Sequence, residues 1–250
     1  PGRDEHDLST LRVAVTGAAD IPVELIRRVD AELPFSFIVT GYGLTEAGTA
    51  SATSPEDDPE TVATTVGRPR PGFELRITDD QDTDLPAGEP GEIALRGPTV
   101  MAGYLDDPEA TAQALSPSGW LRTGDLGVVD DHGCLRIVGR VKDMFIVGGF
   151  NAYPAEIENA LLRHPAVQQA AVIGVPDDRL GEVGMAFVVL RDGAEVAPDA
   201  IIAWSRDQMA NYKVPRAVEI VDELPLNATG KVEKNVLRDR VASATPASST

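Results

Sequence analysis

Hydrophobic and polar positions follow three different patterns along the 250 residues of the chain. In the first, the β-branched runs 11–16 and 35–40 flank a stretch, 22–33, in which apolar residues recur at helical spacing. A strand, a helix and a second strand in succession indicate neighbouring strands of a parallel sheet. We therefore expect an α/β layer over residues 1–66, with a polar, proline-containing loop at 54–61.

From residue 67 to 140 the pattern changes to short apolar runs between turn-forming residues. Short strands at close spacing are typical of a small antiparallel barrel or sheet. We expect a β-barrel subdomain here. Its predicted strands are FELRIT (73–78), GEIALRG (91–97), GVVD (127–130) and CLRIVG (134–139).

The third pattern, over residues 141–241, mixes strands and helices and predicts an α+β domain of about 100 residues, a usual size for an independent unit. The small, polar tail 242–250 is predicted to be disordered. The predicted strands are 144–149, 166–175, 184–190 and 216–221, and the predicted helices are 154–163, 198–209 and 232–240.

Composition excludes several classes of function. The formal net charge of −18 argues against nucleic-acid binding and against anionic membranes, both of which select basic surfaces. Cys134 is the only cysteine, so no intramolecular disulfide can form, and we expect a reducing, cytoplasmic location. No apolar run approaches the roughly 20 residues that span a bilayer, so no integral membrane segment is expected.

Four segments carry the candidate chemistry. They are YGLTE (42–46), RTGD (122–125), GR (139–140) with GGFNAYPAEIE (148–158), and PLNATGK (225–231). In this order and at these separations they resemble the adenylate-forming superfamily, which contains acyl-CoA synthetases, peptide-synthetase adenylation domains and beetle luciferases. The resemblance covers essentially the whole chain, and it implies the end of a large α/β N-terminal domain followed by a mobile C-terminal lid.

The resemblance also implies a reaction in two halves. A small-molecule carboxylic acid attacks the α-phosphate of Mg·ATP to give an acyl-adenylate and pyrophosphate, and a thiol then takes the acyl group and releases AMP. The implied cofactors are ATP, Mg²⁺ and coenzyme A. Catalysis of the first half consists mainly of positioning and of stabilising charge around phosphorus.

Most of the implied nucleotide site lies in residues 1–140. The resemblance implies that the Thr45 hydroxyl contacts the α-phosphate, that Glu46 holds Mg²⁺ and that Asp125 accepts hydrogen bonds from the ribose hydroxyls. Local alternatives are a helix N-cap at Thr45–Glu46, an Asx turn at Asp125 and a purely structural salt bridge at Arg140. The residues implied for ATP or AMP binding are Gly17, Ala18, Ala19, Gly41, Tyr42, Gly43, Asp125, Ile137 and Arg140.

Lys231 is the residue implied to catalyse adenylation, because an ammonium group can bridge the substrate carboxylate and the α-phosphate as charge develops. The alternative is a solvated helix face shared with Lys234 and Arg238, which stand four residues apart. Lys142 corresponds to the hinge of the family, and the alternative there is a solvated loop lysine.

The glycine-rich segment is implied to bind CoA through Gly148, Gly149 and Phe150, which line the pantetheine tunnel in the family. A strand-to-helix turn with Pro154 at the start of the helix is a compatible local interpretation. Apolar residues at 145–147, where peptide-synthetase domains usually carry basic ones, favour the acyl-CoA synthetase branch.

The phosphate loop that precedes these motifs in the family is absent. We therefore expect the chain to be N-terminally incomplete and inactive alone, with the missing N-terminal part of the same enzyme as its partner. A homo-oligomer is also possible. The sequence leaves the acid open among fatty, aromatic and steroid-derived carboxylates. The alternatives to an acyl-CoA synthetase are an adenylation domain that loads a carrier protein and a non-catalytic chain that binds nucleotide or a partner.

Overall fold

A computed structural model of the protein describes residues 6–17, 23–228 and 230–244. The chain divides into two compact units, Pro1–Val141 and Lys142–Thr250. They are called the N-unit and the C-unit below. The boundary predicted between residues 140 and 141 lies one residue before this division.

The first sheet of the N-unit has four strands in chain order. The first two are parallel, as the sequence predicts, and the later pairs are antiparallel. Helix α1 (Val23–Glu32) connects the parallel strands and packs Ile26 into one apolar cluster with Ile38. The strands are β1 (Val13–Gly17), β2 (Phe37–Leu44), β3 (Gly48–Ala52) and β4 (Arg68–Pro69).

Part of the segment predicted as a polar loop at 54–61 is helical instead. Helix α2 (Pro59–Thr64) begins there, because the Asp58 carboxylate accepts the N–H groups of Glu60 and Thr61 and so caps the first turn. The apolar side of α2 joins the cluster around Ile26.

The second sheet of the N-unit has four antiparallel strands in chain order and is open within the described residues, so the predicted closed barrel is wrong. Its two edge strands are bonded to nearby backbone instead of to each other. Leu135 exchanges 2.7 Å hydrogen bonds with Val66 and Gly67, and Leu85 donates to the carbonyl of Ile77 at 2.8 Å. Helix α3 spans Pro108–Ala114. The strands are β5 (Glu74–Thr78), β6 (Gly91–Arg96), β7 (Leu121–Val129) and β8 (Leu135–Arg140).

The C-unit is a five-stranded sheet with helices on both faces. Its order is β10-β9-β12-β11, with β13 parallel to β12. Alternate residues of β12 point to opposite faces. Ala186 and Val188 pack in the cluster that contains Ile157 and Ile201, whereas Phe187 packs in the cluster that contains Leu237. The strands are β9 (Phe145–Val147), β10 (Phe150–Ala152), β11 (Val167–Asp177), β12 (Gly181–Leu190) and β13 (Ala217–Ile220), and the helices are α4 (Pro154–Leu161), α5 (Pro198–Ser205) and α6 (Lys234–Ala244).

Helix ends in the C-unit differ from the prediction. Val232, expected as the first helical residue, forms an isolated β-bridge with Leu226, so α6 begins two residues later. It continues through 242–244, which the sequence predicts as disordered, and the rest of that tail lies outside the described residues. No helix among the described residues is long and apolar enough to cross a membrane.

Candidate functional site

Thr45 and Glu46 lie in the turn that connects β2 to β3. The Ala47 N–H donates to the carbonyl of Leu44 at 3.1 Å and closes this turn. The helix N-cap alternative for the pair is therefore wrong. The hairpin is tight beside this turn, since a Cβ on Gly43 would lie 2.3 Å from the carbonyl oxygen of Gly48, and only glycine fits there. Strand β2 also extends through Leu44, four residues beyond the predicted run 35–40.

The parallel strands β1 and β2 approach closely at the carboxyl end of β1, where the parallel pairing ends. Gly17 pairs with Gly41, and a Cβ on Gly17 would lie 2.6 Å from the Gly41 carbonyl oxygen. Both glycines belong to the predicted nucleotide pocket, and ligands of open α/β sheets bind at this end of the strands. The predicted residues Ala18 and Ala19 lie outside the described residues.

Two predicted site residues, Tyr42 and Arg140, contact the carboxylate of a third, Asp125. The Tyr42 hydroxyl donates to Asp125 Oδ2 at 2.7 Å, and Arg140 Nε lies 3.0 Å from Asp125 Oδ1. Strand register produces the second contact, because Asp125 of β7 faces Arg140 of β8. Among the described residues no local backbone N–H donates to either carboxylate oxygen, so the Asx-turn alternative has no support there. The salt bridge expected as an alternative for Arg140 exists, and its partner is Asp125.

Burial controls the protonation of this group. Asp125 is 8% exposed, and Tyr42 is 9% exposed. Desolvation, followed by the charge of Asp125, raises the pKa of Tyr42 well above its ordinary value. Tyr42 is therefore a permanent hydrogen-bond donor near neutral pH.

The predicted base contact Ile137 is half-buried and packs against the core of the second sheet.

Glu46 has a partner that the sequence did not indicate. The Tyr104 hydroxyl donates to Glu46 Oε1 at 2.9 Å, and this bond raises the pKa of Tyr104. No motif includes Tyr104; a tyrosine after Gly103 in a loop was the one available signal. Among the described residues no group of three or more His, Cys, Asp and Glu side chains is arranged to hold a metal.

In the C-unit, the predicted CoA-binding glycines form the turn of the β9–β10 hairpin. Gly148 and Gly149 have φ of 56° and 89°, as a two-residue type I′ turn requires. Phe150 is 61% exposed and stacks on Tyr212, with ring centroids 5.0 Å apart. Pro154 occupies the start of α4, which confirms the local turn interpretation.

Lys231 lies on an exposed loop held by Asn227. The Asn227 N–H donates to the Lys231 carbonyl at 2.8 Å, and the Lys231 N–H donates to Asn227 Oδ1 at 2.9 Å. Within the described part of the chain, no carboxylate forms an ion pair with the Lys231 ammonium. The loop therefore fixes the backbone of Lys231 and leaves its side chain in solvent. Thr229 of the same motif lies outside the described residues.

The basic residues of α6 are not a solvated face, which corrects that alternative. Lys234 Nζ lies 2.7 Å from Glu158 Oε1, and Arg238 NH2 lies 2.9 Å from Asp143 Oδ1.

Lys142, the predicted hinge residue, is exposed in a 3₁₀ turn, Val141–Asp143. All four lysines of the chain, Lys142, Lys213, Lys231 and Lys234, lie in residues 142–250.

Comparison with known proteins matches each unit to a family of AMP-binding enzymes. Residues 2–105 match the family described as AMP-binding enzyme. Residues 156–231 match the family described as AMP-binding enzyme C-terminal domain.

Individual relatives agree. The chain is 56% identical over 240 residues to a 3-[(3aS,4S,7aS)-7a-methyl-1,5-dioxo-octahydro-1H-inden-4-yl]propanoyl:CoA ligase of Mycobacterium tuberculosis, covering 96% of this chain and 45% of the relative. It thus spans about half the length of the curated relatives it matches.

Solved structures give the same result. ATP-bound MatB from Rhodopseudomonas palustris superposes with a TM-score of 0.86 at 37% identity, over 92% of this chain and 45% of that one. The amide bond synthetase McbA from Marinactinospora thermotolerans superposes with a TM-score of 0.88 at 40% identity, over 95% and 49%. The chain has the mixed α/β fold of these enzymes, and it belongs to the adenylate-forming superfamily of AMP-binding enzymes.

Proposed function

We propose that the protein carrying this chain is an ATP-dependent acyl-CoA synthetase, which joins a carboxylic acid to CoA through an acyl-adenylate. The observation that carries the proposal is the convergence of Tyr42 and Arg140 on the Asp125 carboxylate. Three residues implied for nucleotide binding, distant in sequence, thereby form one group. The proposal is supported by the Mycobacterium tuberculosis relative, whose name states a CoA ligase, and by the ATP-bound MatB structure.

The partner of this chain in the proposal is the remaining length that its relatives have. The two together are called the full-length enzyme below. In this arrangement the N-unit ends the large domain, the strands β5–β8 form its small subdomain, and the C-unit is the lid.

Asp125 is proposed to bind the ribose of ATP. A carboxylate offers about four lone-pair sites. Tyr42 and Arg140 each use one site, on different oxygens, so each oxygen retains capacity for one ribose hydroxyl. The bonds to Tyr42 and Arg140 hold the carboxylate plane before ATP arrives, which lowers the ordering cost of binding. The rest of the proposed pocket consists of Gly17, Ala18, Ala19, Gly41, Gly43 and Ile137.

Thr45 and Glu46 are proposed to face the phosphates. Mg²⁺ commonly takes one or two carboxylates and keeps water and phosphate oxygens in its other positions. Glu46 can supply such a carboxylate. Its Oε1 accepts the Tyr104 hydroxyl, while Oε2 accepts no hydrogen bond within the described residues and is available to the ion. The ion, when bound, would neutralise phosphate charge. Thr45 is an exposed residue of the same turn, and its hydroxyl is proposed to contact the α-phosphate.

Lys231 is proposed as the catalytic residue of adenylation. A carboxylate oxygen of the acid forms a bond to the α-phosphorus, and the bond to pyrophosphate breaks. The ammonium group stabilises the negative charge that both reactants bring together. The side chain is exposed on a loop held by Asn227, and it forms no ion pair with any residue that the structure describes. This suits the task, since a charge already neutralised by a partner would contribute less.

The second half-reaction is proposed to use the Gly148–Gly149 turn and Phe150. The CoA thiol attacks the acyl carbon, and AMP leaves. A turn without side chains lets the pantetheine arm pass close to backbone. Lys142 is proposed as the hinge about which the C-unit turns between the two half-reactions, because Lys231 and this turn must each serve the same reacting centre.

The test follows pyrophosphate release from the full-length enzyme with ATP, Mg²⁺ and a panel of fatty, aromatic and steroid-derived acids, and then thioester formation after CoA is added. We expect both with at least one acid, and neither with the 250-residue chain alone. Asp125→Ala should raise the KM for ATP strongly. Absence of pyrophosphate release with every acid would contradict the proposal and favour a non-catalytic nucleotide-binding protein.

The acceptor is tested separately, because McbA is named as an amide bond synthetase. CoA, a phosphopantetheinyl carrier protein and simple amines are offered in turn to the enzyme loaded with acyl-adenylate. Faster transfer to CoA than to the other two is the expected result. Preference for the carrier protein would instead identify an adenylation domain.

A further inference from the structure

The Thr45–Glu46 turn is held from outside by the segment 99–104. The Met101 N–H donates to the Glu46 carbonyl at 2.7 Å, and the Thr99 hydroxyl donates to the Ala47 carbonyl at 2.6 Å. These two bonds fix the backbone of the turn. The Tyr104 hydroxyl adds a bond to the Glu46 side chain at 2.9 Å.

Tyr104 is itself held by helix α3. Its backbone N–H donates to the Thr111 hydroxyl at 2.9 Å, and Thr111 donates to the Asp107 carbonyl within the first turns of the helix. The Asp107 carboxylate caps α3 by accepting the Ala110 N–H at 2.9 Å. A Cβ on Gly103 would lie 2.8 Å from the Thr111 side chain, so the backbone at Gly103 packs closely against α3. The backbone that carries the Tyr104 side chain is therefore held in place by α3.

The contact determines which oxygen of Glu46 remains available. A glutamate on a hairpin turn has three rotatable side-chain bonds, and a free one would sample many orientations. The bond from Tyr104 fixes Oε1, while Oε2 takes no hydrogen bond among the described residues. Partners of this kind orient metal-binding carboxylates in many proteins and increase metal affinity.

We propose that Tyr104 is a positioning residue for Glu46, which sets the carboxylate for the magnesium ion of ATP. The inference rests on the proposed function, because it assigns Glu46 to the metal. It adds a residue that belongs to none of the recognised motifs. The competing interpretation is that Tyr104 merely fastens the 99–104 segment to the turn.

The two interpretations are separated by Tyr104→Phe, which removes only the hydroxyl, and by Thr99→Val as the matched control. Thr99 also fastens the segment to the turn through a hydroxyl, but it bonds a backbone carbonyl and not the carboxylate. Metal affinity is measured directly, by electron paramagnetic resonance of Mn²⁺ bound to the full-length enzyme with α,β-methylene-ATP. Thermal unfolding is measured in parallel.

We expect Tyr104→Phe to weaken Mn²⁺ affinity by about 3- to 10-fold, below the 10- to 100-fold of buried partners, because Tyr104 is 40% exposed. Thr99→Val should change it by less than about 2-fold, while both variants lose similar stability. Equal metal affinities in the two variants would overturn the proposal.

A double variant protects the result against general unfolding. Added to Glu46→Gln, the Tyr104→Phe change should cause no further loss of Mn²⁺ affinity, since its effect acts through the carboxylate. An independent, additive loss would also overturn the proposal. If the wild-type enzyme bound Mn²⁺ with the ATP analogue but released no pyrophosphate with any acid, the proposed function would fail while this inference remained measurable.

Discussion

Replacing Lys234 with methionine should destabilise the C-unit, because the mostly buried carboxylate of Glu158 then loses its ammonium partner. Lys234 Nζ lies 2.7 Å from Glu158 Oε1, and the two side chains are 17% and 13% exposed. The same oxygen accepts the Val172 N–H at 2.7 Å. One carboxylate thus connects α6, α4 and β11, and methionine preserves much of the lysine stem but not its charge.

The expected magnitude follows from the exposure of the pair. Exposed ion pairs contribute about 0–1 kcal/mol, whereas removing one partner of a buried pair costs about 3–5 kcal/mol. Since both side chains are mostly but not fully buried, we expect a loss of about 2–3 kcal/mol in the free energy of unfolding. With a urea dependence of roughly 2 kcal/mol per molar, the midpoint should fall by about 1–1.5 M.

The assay is urea unfolding followed by the fluorescence of Trp204, the tryptophan of the C-unit. A Trp120→Phe background removes the tryptophan signal of the N-unit. Lys231→Met is the matched control, because Lys231 is exposed and forms no ion pair in the described part of the chain. Its effect should stay within about 0.5 kcal/mol.

Glu158→Gln and the double variant complete a thermodynamic cycle with Lys234→Met. We expect a coupling free energy of at least about 1 kcal/mol between the two positions. Equal midpoints for Lys234→Met and Lys231→Met, or a coupling near zero, would refute the reasoning, and the pair would then be an incidental contact.

Three further outcomes are expected. In the full-length enzyme, Lys231→Ala should slow adenylation by roughly 10²–10³-fold but leave thioester formation from synthetic acyl-adenylate intact. An equal decrease in the rates of both half-reactions would instead make Lys231 a structural or general nucleotide-binding residue. Lys142→Pro, which fixes φ near −65°, should leave pyrophosphate release nearly intact and strongly slow thioester formation, and small equal effects would place the hinge elsewhere. The raised pKa of Tyr42 contributes stability that is complete below the ordinary phenol pKa of about 10 and is lost as pH rises above it. The urea midpoint, followed by Trp120 fluorescence, should therefore fall less between pH 9 and 11 in Tyr42→Phe than in the wild type, and parallel slopes would contradict this.

The sequence motifs single out individual candidate site residues, but they do not predict the contacts between them. Asp125, Tyr42 and Arg140 were each identified through a motif, but their meeting depends on strand register, which a motif does not contain. Tyr104 was missed for the same reason, since its partner Glu46 is distant in sequence. Distant partners become visible only when the sheets are assembled.

Long-range pairing also explains the errors at α6 and in the second sheet. Lys234 and Arg238 have the spacing of a solvated face, and only the fold brings Glu158 and Asp143 to them. Short antiparallel strands have the same pattern in a barrel as in an open sheet, because the pattern specifies strands and not closure. The parallel β1–β2 pair was predicted correctly, since a short strand–helix–strand sequence leaves few other arrangements.

The backbone bonds along the outer edges of β5 and β8 have a consequence for the behaviour of the protein in concentrated solution. Free N–H and C=O groups on an edge strand are a template for a strand from another molecule, and such pairing leads to aggregation. Val66 and Gly67 bond the N–H and C=O groups of Leu135 on β8, and Leu85 bonds the carbonyl of Ile77 on β5. At these positions the loop contacts prevent a strand of another molecule from pairing with the edge, as closure into a barrel would. The open sheet is therefore less prone to aggregate.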